Sequence, residues 1–406
     1  MSSIKALRAR KVLDSRGNPT IEVDIITDGL FRAAAPSGAS CGEHEAVSFP
    51  KSVDECVSEV KDGIAKRIVG RHADVVEIDK LLREIDGTGN FSRIGGNPAV
   101  AISMAVAKAE ASSKGIPLYA HVNKLLGSFG CKTKTGMPMP LGNVLGGGAH
   151  AVGGTNIQEF LVVSQGKTAS ESVFANAQVH KRVKEKLMGK YPGIAIGKGD
   201  EGAWVARVDD EEALEIVSSA CSQVGDESGV SIKPGLDMAA SELWDGKKKK
   251  YIYRGVERTN DEQIDFVLGL IEDYRLYYVE DPMEQNDFDG FARLTKKAHC
   301  LVCGDDLFVT NAARFSQGIK IKAANSILIK PNQIGTMSDM LMAVALAINN
   351  GYAAVVSHRS GETADDTIAH IAFGVGAQMI KTGAVGGERI AKLNELIRIE
   401  EGLYGN

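Results

Sequence analysis

The sequence predicts an α/β protein made of a (β/α)8 barrel, residues 135–406, preceded by a smaller N-terminal α+β domain, residues 1–134. Two observations favour this architecture. Beyond about residue 134, short apolar runs alternate with segments of helical periodicity, as expected of repeated βα units. Before that point, strand-like segments come first and helical segments follow, which is typical of a small α+β unit.

The composition of the 406-residue chain is that of a globular protein with many loops. Its formal net charge of −5 argues against nucleic acid or an anionic membrane as the main partner. Six irregularly spaced cysteines favour a reducing compartment over a disulfide framework. The longest strongly apolar run, residues 340–348, is far shorter than a membrane span, and the basic N-terminus has no apolar stretch typical of a signal peptide. We therefore expect a cytoplasmic enzyme.

The N-terminal domain is predicted to begin with strands and to continue with helices. Polar and apolar residues alternate between residues 4 and 36, and an Asp28-Gly29 pair between two strand-like runs is a strong hairpin signal. Apolar residues then recur at spacings of four and three over residues 53–68, which predicts an amphipathic helix. Asn97, followed by proline, is a candidate N-cap that opens a further helix.

The barrel prediction rests on six apolar runs that each end in a polar residue. These residues are Asp237, Glu280, Asp305, Lys330, His358 and Lys381. From Glu280 onward, successive members are 23 to 28 residues apart, which is about the length of one βα unit. Candidate strands at 138–144 and 160–163 bring the number of strands to eight. We therefore expect a parallel barrel with these side chains at the carboxyl ends of its strands, where the active sites of such barrels lie.

Charged side chains that close apolar strands are costly to bury unless they are paired or bind a metal. Asp237, Glu280 and Asp305 are carboxylates on three successive strands, and hard oxygen ligands of this kind suit Mg²⁺ better than zinc. Lys330 and Lys381 bring the opposite charge to the same mouth. Each could act as a base if its pKa were lowered, or could simply neutralise the acids. These residues alone leave both interpretations open.

Two glycine-rich segments are candidates for mobile loops at this mouth. Glu201 lies between glycines at residues 199–202 and could reach over the mouth as an acid. His150 lies between glycines at residues 146–148 and 153–154. Those glycines could form a plain flexible linker or a lid that closes over a substrate.

Beyond these patterns, the chain resembles the enolase family nearly from end to end. The strings that carry the resemblance are DSRGNPTIEVD, PSGAS, LGGGAH, QEF, GDEG, GLDMAASE, VEDP, GDDLFVTN, IKPNQIGT, VSHRSGET, IKTGA and ERIAKLNELIRIEE. The resemblance implies reversible dehydration of 2-phosphoglycerate to phosphoenolpyruvate, a step of glycolysis and gluconeogenesis. It also implies two Mg²⁺ per active site, the second bound only with substrate, and a homo-oligomer, since the family forms dimers and sometimes octamers.

The resemblance further implies roles for individual residues. Lys330 would take the C2 proton and Glu201 would help the C3 hydroxide leave. The residues implied to be catalytic are Glu201, Lys330, Glu159 and His358. Those implied to bind substrate are His150, Gln158, Glu159, Lys330, Arg359, Ser360 and Lys381. Those implied to bind metal are Asp237, Glu280, Asp305 and Ser40, of which Ser40 would close over the site with the second ion.

The chain departs from the usual family strings at a few positions. Cys41 stands where threonine is usual, Ala203 stands where glycine is common, and the GGGAHAVGGTN string around His150 is unusual. None of these departures removes a chemical group, so we expect them to affect loop motion and rate rather than the type of reaction.

Two rival functions remain open at this stage. Another barrel of the enolase superfamily would often carry a Lys-x-Lys pair before its first metal carboxylate, whereas Lys320-Ile321-Lys322 follows Asp305 here. Such a barrel would also have no need of the phosphate-directed Arg359. A non-catalytic binding protein on the same fold would be expected to lose at least one site residue, and none is lost. Binding roles added to catalysis, including display at a cell surface, are not something this sequence reveals.

Overall fold

The structure is a computed structural model that describes residues 2–38, 42–151, 153–193 and 195–404. Its N-terminal part is a three-stranded antiparallel sheet with α4 packed on β2 and β3. The strands are β1 Ala6–Leu13, β2 Pro19–Ile26 and β3 Leu30–Ala34. The helices are α1 Val53–Glu59, α2 Ala65–Ile68, α3 Val75–Asp86, α4 Gly96–Ser113 and α5 Leu118–Ser128.

The local predictions for this part agree with the structure in two places. The Asp28-Gly29 pair lies in the turn that joins β2 to β3, whose end residues Ile26 and Leu30 are paired. Residues 53–68 are helical throughout, with a π-helical segment, Val60–Ile64, between α1 and α2. The apolar residues Val57, Val60, Ile64 and Ile68 of this helical run are buried, because the run packs against β1 and β2.

The predicted start of α4 is wrong by two residues. Gly95 is the N-cap residue and has a φ of 92°, a value that favours glycine. Asn97 lies inside the first turn, where its side-chain amide donates a hydrogen bond of 3.0 Å to the carbonyl of Pro36. The Asn97 side chain, predicted to cap the helix, thus forms a tertiary hydrogen bond with Pro36 instead.

The rest of the chain forms the predicted barrel and its surrounding helices. The strands are β4 Met139–Gly146, β5 Glu159–Gln165, β6 Gly197–Lys198, β7 Trp204–Val205, β8 Ser231–Asp237, β9 Trp244–Asp245, β10 Lys250–Tyr253, β11 Val256–Arg258, β12 Tyr278–Glu280, β13 Leu301–Gly304, β14 Ser326–Ile329, β15 Ala353–Ser357 and β16 Met379–Lys381. The helices are α6 Ala169–Lys190, α7 Asp210–Ser228, α8 Asn260–Tyr274, α9 Phe288–Thr295, α10 Ala312–Ile321, α11 Pro331–Ile334, α12 Met337–Asn349, α13 Thr367–Gly374 and α14 Gly387–Tyr404.

Eight strands close the barrel in the order β4-β5-β8-β12-β13-β14-β15-β16, and β16 pairs back with β4. This confirms the predicted fold class, a barrel with a smaller N-terminal domain. A compact apolar cluster of residues from successive strands is buried among them. Its members are Leu141, Leu161, Val163, Tyr278, Cys303, Leu328, Val355 and Met379. The predicted domain boundary at residue 134 lies in the segment between α5 and β4.

The expectation that all eight strands are parallel is wrong for one of them. Strand β5 runs antiparallel to both β4 and β8, whereas the other barrel pairs are parallel. Parallel neighbours need a long crossover, usually a helix. In the glycine-rich segment from β4 to β5, the described residues, which exclude Val152, form no helix longer than the 3₁₀ turn Gly148–His150. The chain therefore reverses direction without a crossover helix, and β5 runs antiparallel to β4.

The N-terminal part reaches the end of the barrel where the site residues lie. Ser37 and Gly361 exchange backbone hydrogen bonds of 2.7 and 2.8 Å, which ties the segment after β3 to the loop after β15. Farther out, Arg83 on α3 pairs with Asp339 on α12. Within the described ranges, no helix combines the length and apolar character that a membrane span requires.

Candidate active site

The barrel places the six polar residues predicted at strand ends around one mouth. Asp237, Glu280 and Lys381 are the last residues of β8, β12 and β16. Asp305, Lys330 and His358 directly follow β13, β14 and β15. A single cavity is lined by five of the six, while Glu280 lies just beneath its surface with no exposed area. The other predicted residues that line this cavity are His150, Gln158, Glu159, Glu201, Arg359 and Ser360.

Lys381 lies at the centre of a ring of carboxylates. Its Nζ is 2.8 Å from Asp237 Oδ2, 2.8 Å from Glu280 Oε1 and 3.3 Å from Glu159 Oε2. Burial opposes the charge on the amine, but the three carboxylates outweigh burial and raise the pKa of Lys381 well above its usual range. Lys381 is therefore a permanent cation that holds two strand-end acids in place.

Lys330 is paired with Asp305 on the neighbouring strand. Burial acts to lower the pKa of Lys330, but Asp305 reverses that effect and raises it. The other oxygen of Asp305 accepts a hydrogen bond of 2.9 Å from the Gln333 side chain. In this arrangement Lys330 is charged and neutralises Asp305, which is one of the two interpretations that the sequence left open.

The acidic residues next to the predicted metal ligands were missed by sequence reasoning. Among the described residues, one oxygen from each of Asp281, Asp305 and Asp306 lies within 4.8 Å of the other two. Asp281 accepts the backbone N–H groups of Asp305 and Asp306 at 2.9 and 2.7 Å, so it also shapes the loop after β13. The sequence signal that could have identified them is the second acidic residue in each of two strings, Asp281 in VEDP and Asp306 in GDD.

This acid-rich region is suited to a hard divalent cation. Its donor atoms are carboxylate oxygens, the ligands that Mg²⁺ prefers. Burial and the neighbouring carboxylates raise the pKa of Asp281 well above its usual range and that of Asp306 to about 7. The region holds more carboxyl groups than its two lysines can pair with. Asp237 and Glu280 converge on Lys381 rather than on the group that contains Asp305.

A second cluster, built from an imidazole and two carboxylates, lies beside the ring around Lys381 and shares Glu159 with it. His150 Nδ1 is 3.3 Å from Glu159 Oε1 and 3.9 Å from Glu201 Oε1. His358 Nε2 approaches the same Glu201 oxygen at 3.5 Å, and the Asn143 side chain donates to the other oxygen at 3.3 Å. The structure therefore brings the candidate acid into contact with both histidines predicted at the site.

The two carboxylates of this cluster differ in their affinity for a proton. Burial, followed by the charge of Glu201, raises the pKa of Glu159. Burial acts on Glu201 as well, but His358 and His150 outweigh it and hold the pKa of Glu201 well below its usual range. The cluster can therefore keep a proton on the Glu159 and His150 side while Glu201 remains ionised.

The predicted phosphate-binding residues lie at the edge of the cavity. Arg359 is buried and forms an ion pair with Glu45, a residue of the N-terminal part that sequence reasoning did not single out. Ser360 is also buried beside it. Gln158 lines the cavity with an amide oxygen that has no hydrogen-bond partner among the described residues. The predicted ligand Ser40 and the neighbouring Cys41 lie outside the described residues.

Comparison with known proteins agrees with this architecture over nearly the whole chain. Residues 134–406 match the family described as "Enolase, C-terminal TIM barrel domain", and residues 4–122 match "Enolase, N-terminal domain". A protein of Methanothermobacter thermautotrophicus named "Enolase" is 54% identical over 409 residues, which is 98% of this chain and 97% of that protein.

Two further relatives with the same name show the same extent of similarity. The protein of Methanosphaera stadtmanae is 54% identical over 99% of this chain and 98% of its own length. That of Halobacterium salinarum is 52% identical over 99% of this chain and its entire length. With two family domains in the expected order and relatives of this identity, the chain belongs to the enolase family.

Proposed function

We propose that this protein catalyses the reversible dehydration of 2-phosphoglycerate to phosphoenolpyruvate. The observation that carries the proposal is the division of one cavity into two chemical halves. One half holds Lys330 and Lys381 among strand-end carboxylates, and the other holds Glu201 between two imidazoles. Loss of a proton from C2 and of hydroxide from C3 needs a base and an acid on different groups, and the two halves supply them.

The residues fit the Mg²⁺ that the family implies. We propose that Asp237, Glu280 and Asp305 hold a first ion, and that Ser40 and the substrate phosphate hold a second ion only in the closed complex. Bound there, Mg²⁺ would supply electrostatic stabilisation to the negative charge on the substrate carboxylate. The excess of carboxylate oxygens over lysines at this mouth supports the assignment.

Lys330 is proposed as the group that takes the C2 proton, and to do so it must first lose the proton that its pairing with Asp305 stabilises. Its Nζ lies at the end of β14 and is held there by Asp305, while the backbone N–H of Lys330 donates to Thr310 Oγ1 at 2.9 Å. Both contacts hold the side chain at the cavity before substrate binds. This lowers the entropic part of the activation barrier, because the reacting group is already in position. Lys381, with its raised pKa, remains a cation beside the substrate carboxylate.

Glu201 is proposed to handle the hydroxyl group at C3. Because its pKa is held low, ionised Glu201 is ready to accept a proton from the water that adds to C3 in the hydration direction. In the dehydration direction it must first receive a proton. We propose that Glu159 supplies this proton through His150, which lies between the two carboxylates.

Two properties outside the active site complete the proposal. We propose a homo-oligomer, most simply a homodimer, with an octamer as the alternative that sedimentation would distinguish. We also propose a cytoplasmic location, in keeping with a glycolytic substrate and with the free cysteines among the described residues.

The test is an assay of phosphoenolpyruvate formation by ultraviolet absorbance, with and without EDTA. We expect activity with 2-phosphoglycerate that EDTA abolishes and excess Mg²⁺ restores. Turnover of a non-phosphorylated sugar acid instead would favour another barrel of the superfamily. Binding of 2-phosphoglycerate without turnover under any metal condition would favour a non-catalytic protein.

A further inference from the structure

Arg389, in the first turn of α14, is a charged side chain with no exposed surface. Its Nη1 donates to His358 Nδ1 at 2.8 Å and to the carbonyl of Arg359 at 2.6 Å. Its Nη2 donates to the carbonyls of Ser360 and Asp200 at 2.6 and 3.2 Å. A single guanidinium therefore joins the loop after β15 to the loop that carries Glu201.

The contact with His358 constrains where that imidazole carries its proton. A guanidinium has only donors and no acceptor, so the nitrogen that faces it must offer a lone pair. His358 Nδ1 is therefore unprotonated, and the proton of the neutral ring lies on Nε2. That nitrogen is the one that lies 3.5 Å from Glu201 Oε1.

The surroundings of His358 also disfavour a second proton on the ring. Burial, and after it the charge of Arg389, lower the pKa of His358 to about 4 against the opposing effect of Glu201. Around neutral pH the ring is therefore neutral, and the nitrogen that carries its single proton is the one nearest to Glu201.

We propose that Arg389 is a positioning residue: it selects the Nε2–H tautomer of His358, which then donates to Glu201, and it ties the Glu201 loop to the loop after β15. A neutral donor on Glu201 orients the carboxylate without competing for the proton that Glu201 must carry. With the opposite tautomer, the lone pair of Nε2 would face the carboxylate oxygen and repel it. The positioning role rests on the proposed function of Glu201. The tautomer assignment does not, because it follows from the contact between Arg389 and His358.

The first experiment needs no variant of Arg389. The full-length protein, labelled with ¹⁵N in its eight histidines, is examined by NMR of the ring nitrogens, and His358 is assigned by its loss in His358→Gln. We expect an unprotonated Nδ1 and a protonated Nε2 from about pH 6 to pH 8. A protonated Nδ1, in either the other neutral tautomer or the imidazolium, would overturn the proposal.

The second experiment separates positioning from mere structural support. Arg389→Lys keeps the charge but cannot serve four acceptors at once. We expect kcat for phosphoenolpyruvate formation to fall by roughly 10- to 100-fold, the range seen when a partner that orients an active-site ligand is lost. Exchange of the C2 hydrogen of 2-phosphoglycerate with D₂O, measured at saturating substrate, should stay near the native value, because the Lys330 half is untouched.

The matched control is Arg398→Lys on the same helix, where the side chain is exposed and pairs only with Glu395 among the described residues. It should leave kcat unchanged. If Arg389→Lys leaves kcat at the native value, or lowers exchange and dehydration equally, Arg389 has no specific link to Glu201 and the proposal fails. If the native protein forms no phosphoenolpyruvate at all, the proposed function fails while the tautomer assignment stands on the NMR result.

Discussion

Arg359 and Glu45 form a buried, two-pronged ion pair that joins the N-terminal part of the chain to the barrel. Arg359 Nη1 lies 2.8 Å from Glu45 Oε2, and Nη2 lies 3.1 Å from Oε1. The donor fork that suits a phosphate group is thus held by a carboxylate from a residue 314 positions away. Substrate phosphate and Glu45 would therefore share or compete for the same guanidinium, which links substrate binding to the contact between the two parts.

Glu45→Gln should destabilise the protein and make its stability depend on phosphate. The change leaves the Arg359 charge buried without its carboxylate, and breaking such a pair from one side costs about 3–5 kcal/mol. Inorganic phosphate should restore part of this loss because it supplies the missing negative charge. Denaturant unfolding with and without phosphate measures both effects. Glu43→Gln, an exposed change in the same segment, should show neither effect. Equal losses from the two variants would contradict the link.

Arg359→Lys should weaken substrate binding while the fold stays intact. An ammonium group cannot offer the two parallel donors that a phosphate accepts, so we expect KM for 2-phosphoglycerate to rise by about tenfold or more. Steady-state kinetics with matched circular dichroism spectra provides the measurement. An unchanged KM would indicate that the substrate carries no phosphate at this position and would favour another barrel of the superfamily.

Glu201→Gln should separate the two chemical steps. Glutamine keeps the size and hydrogen bonding of Glu201 but cannot act as an acid. Formation of phosphoenolpyruvate should therefore be lost by about 100-fold or more, while the C2 hydrogen still exchanges with deuterium. NMR of 2-phosphoglycerate in D₂O with saturating Mg²⁺ measures the exchange. Loss of exchange together with dehydration would argue against stepwise chemistry.

Lys330→Ala should abolish both exchange and dehydration, because the base that starts the reaction is gone. Lys330→Arg should recover little, since a guanidinium does not lose its proton at any useful pH. The same D₂O experiment applies. Exchange that persists in Lys330→Ala would falsify the assignment of the base and leave Lys381 or His358 as candidates.

Metal binding should occur in two unequal stages. Calorimetric titration should detect one Mg²⁺ in the free protein and a second only after 2-phosphoglycerate is added. Glu280→Gln should weaken the first stage, because it removes a buried anionic oxygen from the site. Glu272→Gln, an exposed change on α8, is the matched control and should bind as the native protein does. Two equal sites in the free protein would contradict the closing role proposed for Ser40.

The buried carboxyl group of Asp79 should make the free energy of unfolding decrease as pH rises from about 4 to about 7. This carboxylate on α3 is buried and accepts the backbone N–H and Oγ–H of Ser338 at 2.9 and 2.7 Å. Burial raises its pKa from 3.8 to about 7. The folded state therefore prefers the protonated form: its contribution is complete below about pH 4 and is lost as pH rises through about 7.

Asp79→Asn stays neutral, so its stability relative to the native protein should increase between about pH 4 and pH 8, by up to about 4 kcal/mol. Denaturant unfolding across this range measures the difference. Glu77→Gln, on the exposed face of the same helix, should show no such trend. A difference that is independent of pH would contradict the raised pKa.

The sequence by itself determined the barrel and the identity of the polar residues at its mouth. Strand and helix periodicities depend on neighbouring residues, and repeated βα units bring the carboxyl ends of their strands together whatever else the chain does. Asp237, Glu280 and Lys381 could therefore be assigned to one site before any contact between them was known. The family strings added Gln158 and Glu159, which simple spacing did not single out.

Only the tertiary structure decided how these groups are paired. Strand β5 runs against its neighbours because its connection to β4 contains no crossover helix, and Asn97 caps no helix because it reaches Pro36. Glu45 meets Arg359 only when the N-terminal part folds over the barrel, and Arg389 meets His358 only when α14 packs against the closed ring. Such contacts join residues far apart in sequence, so no local pattern of residues encodes them.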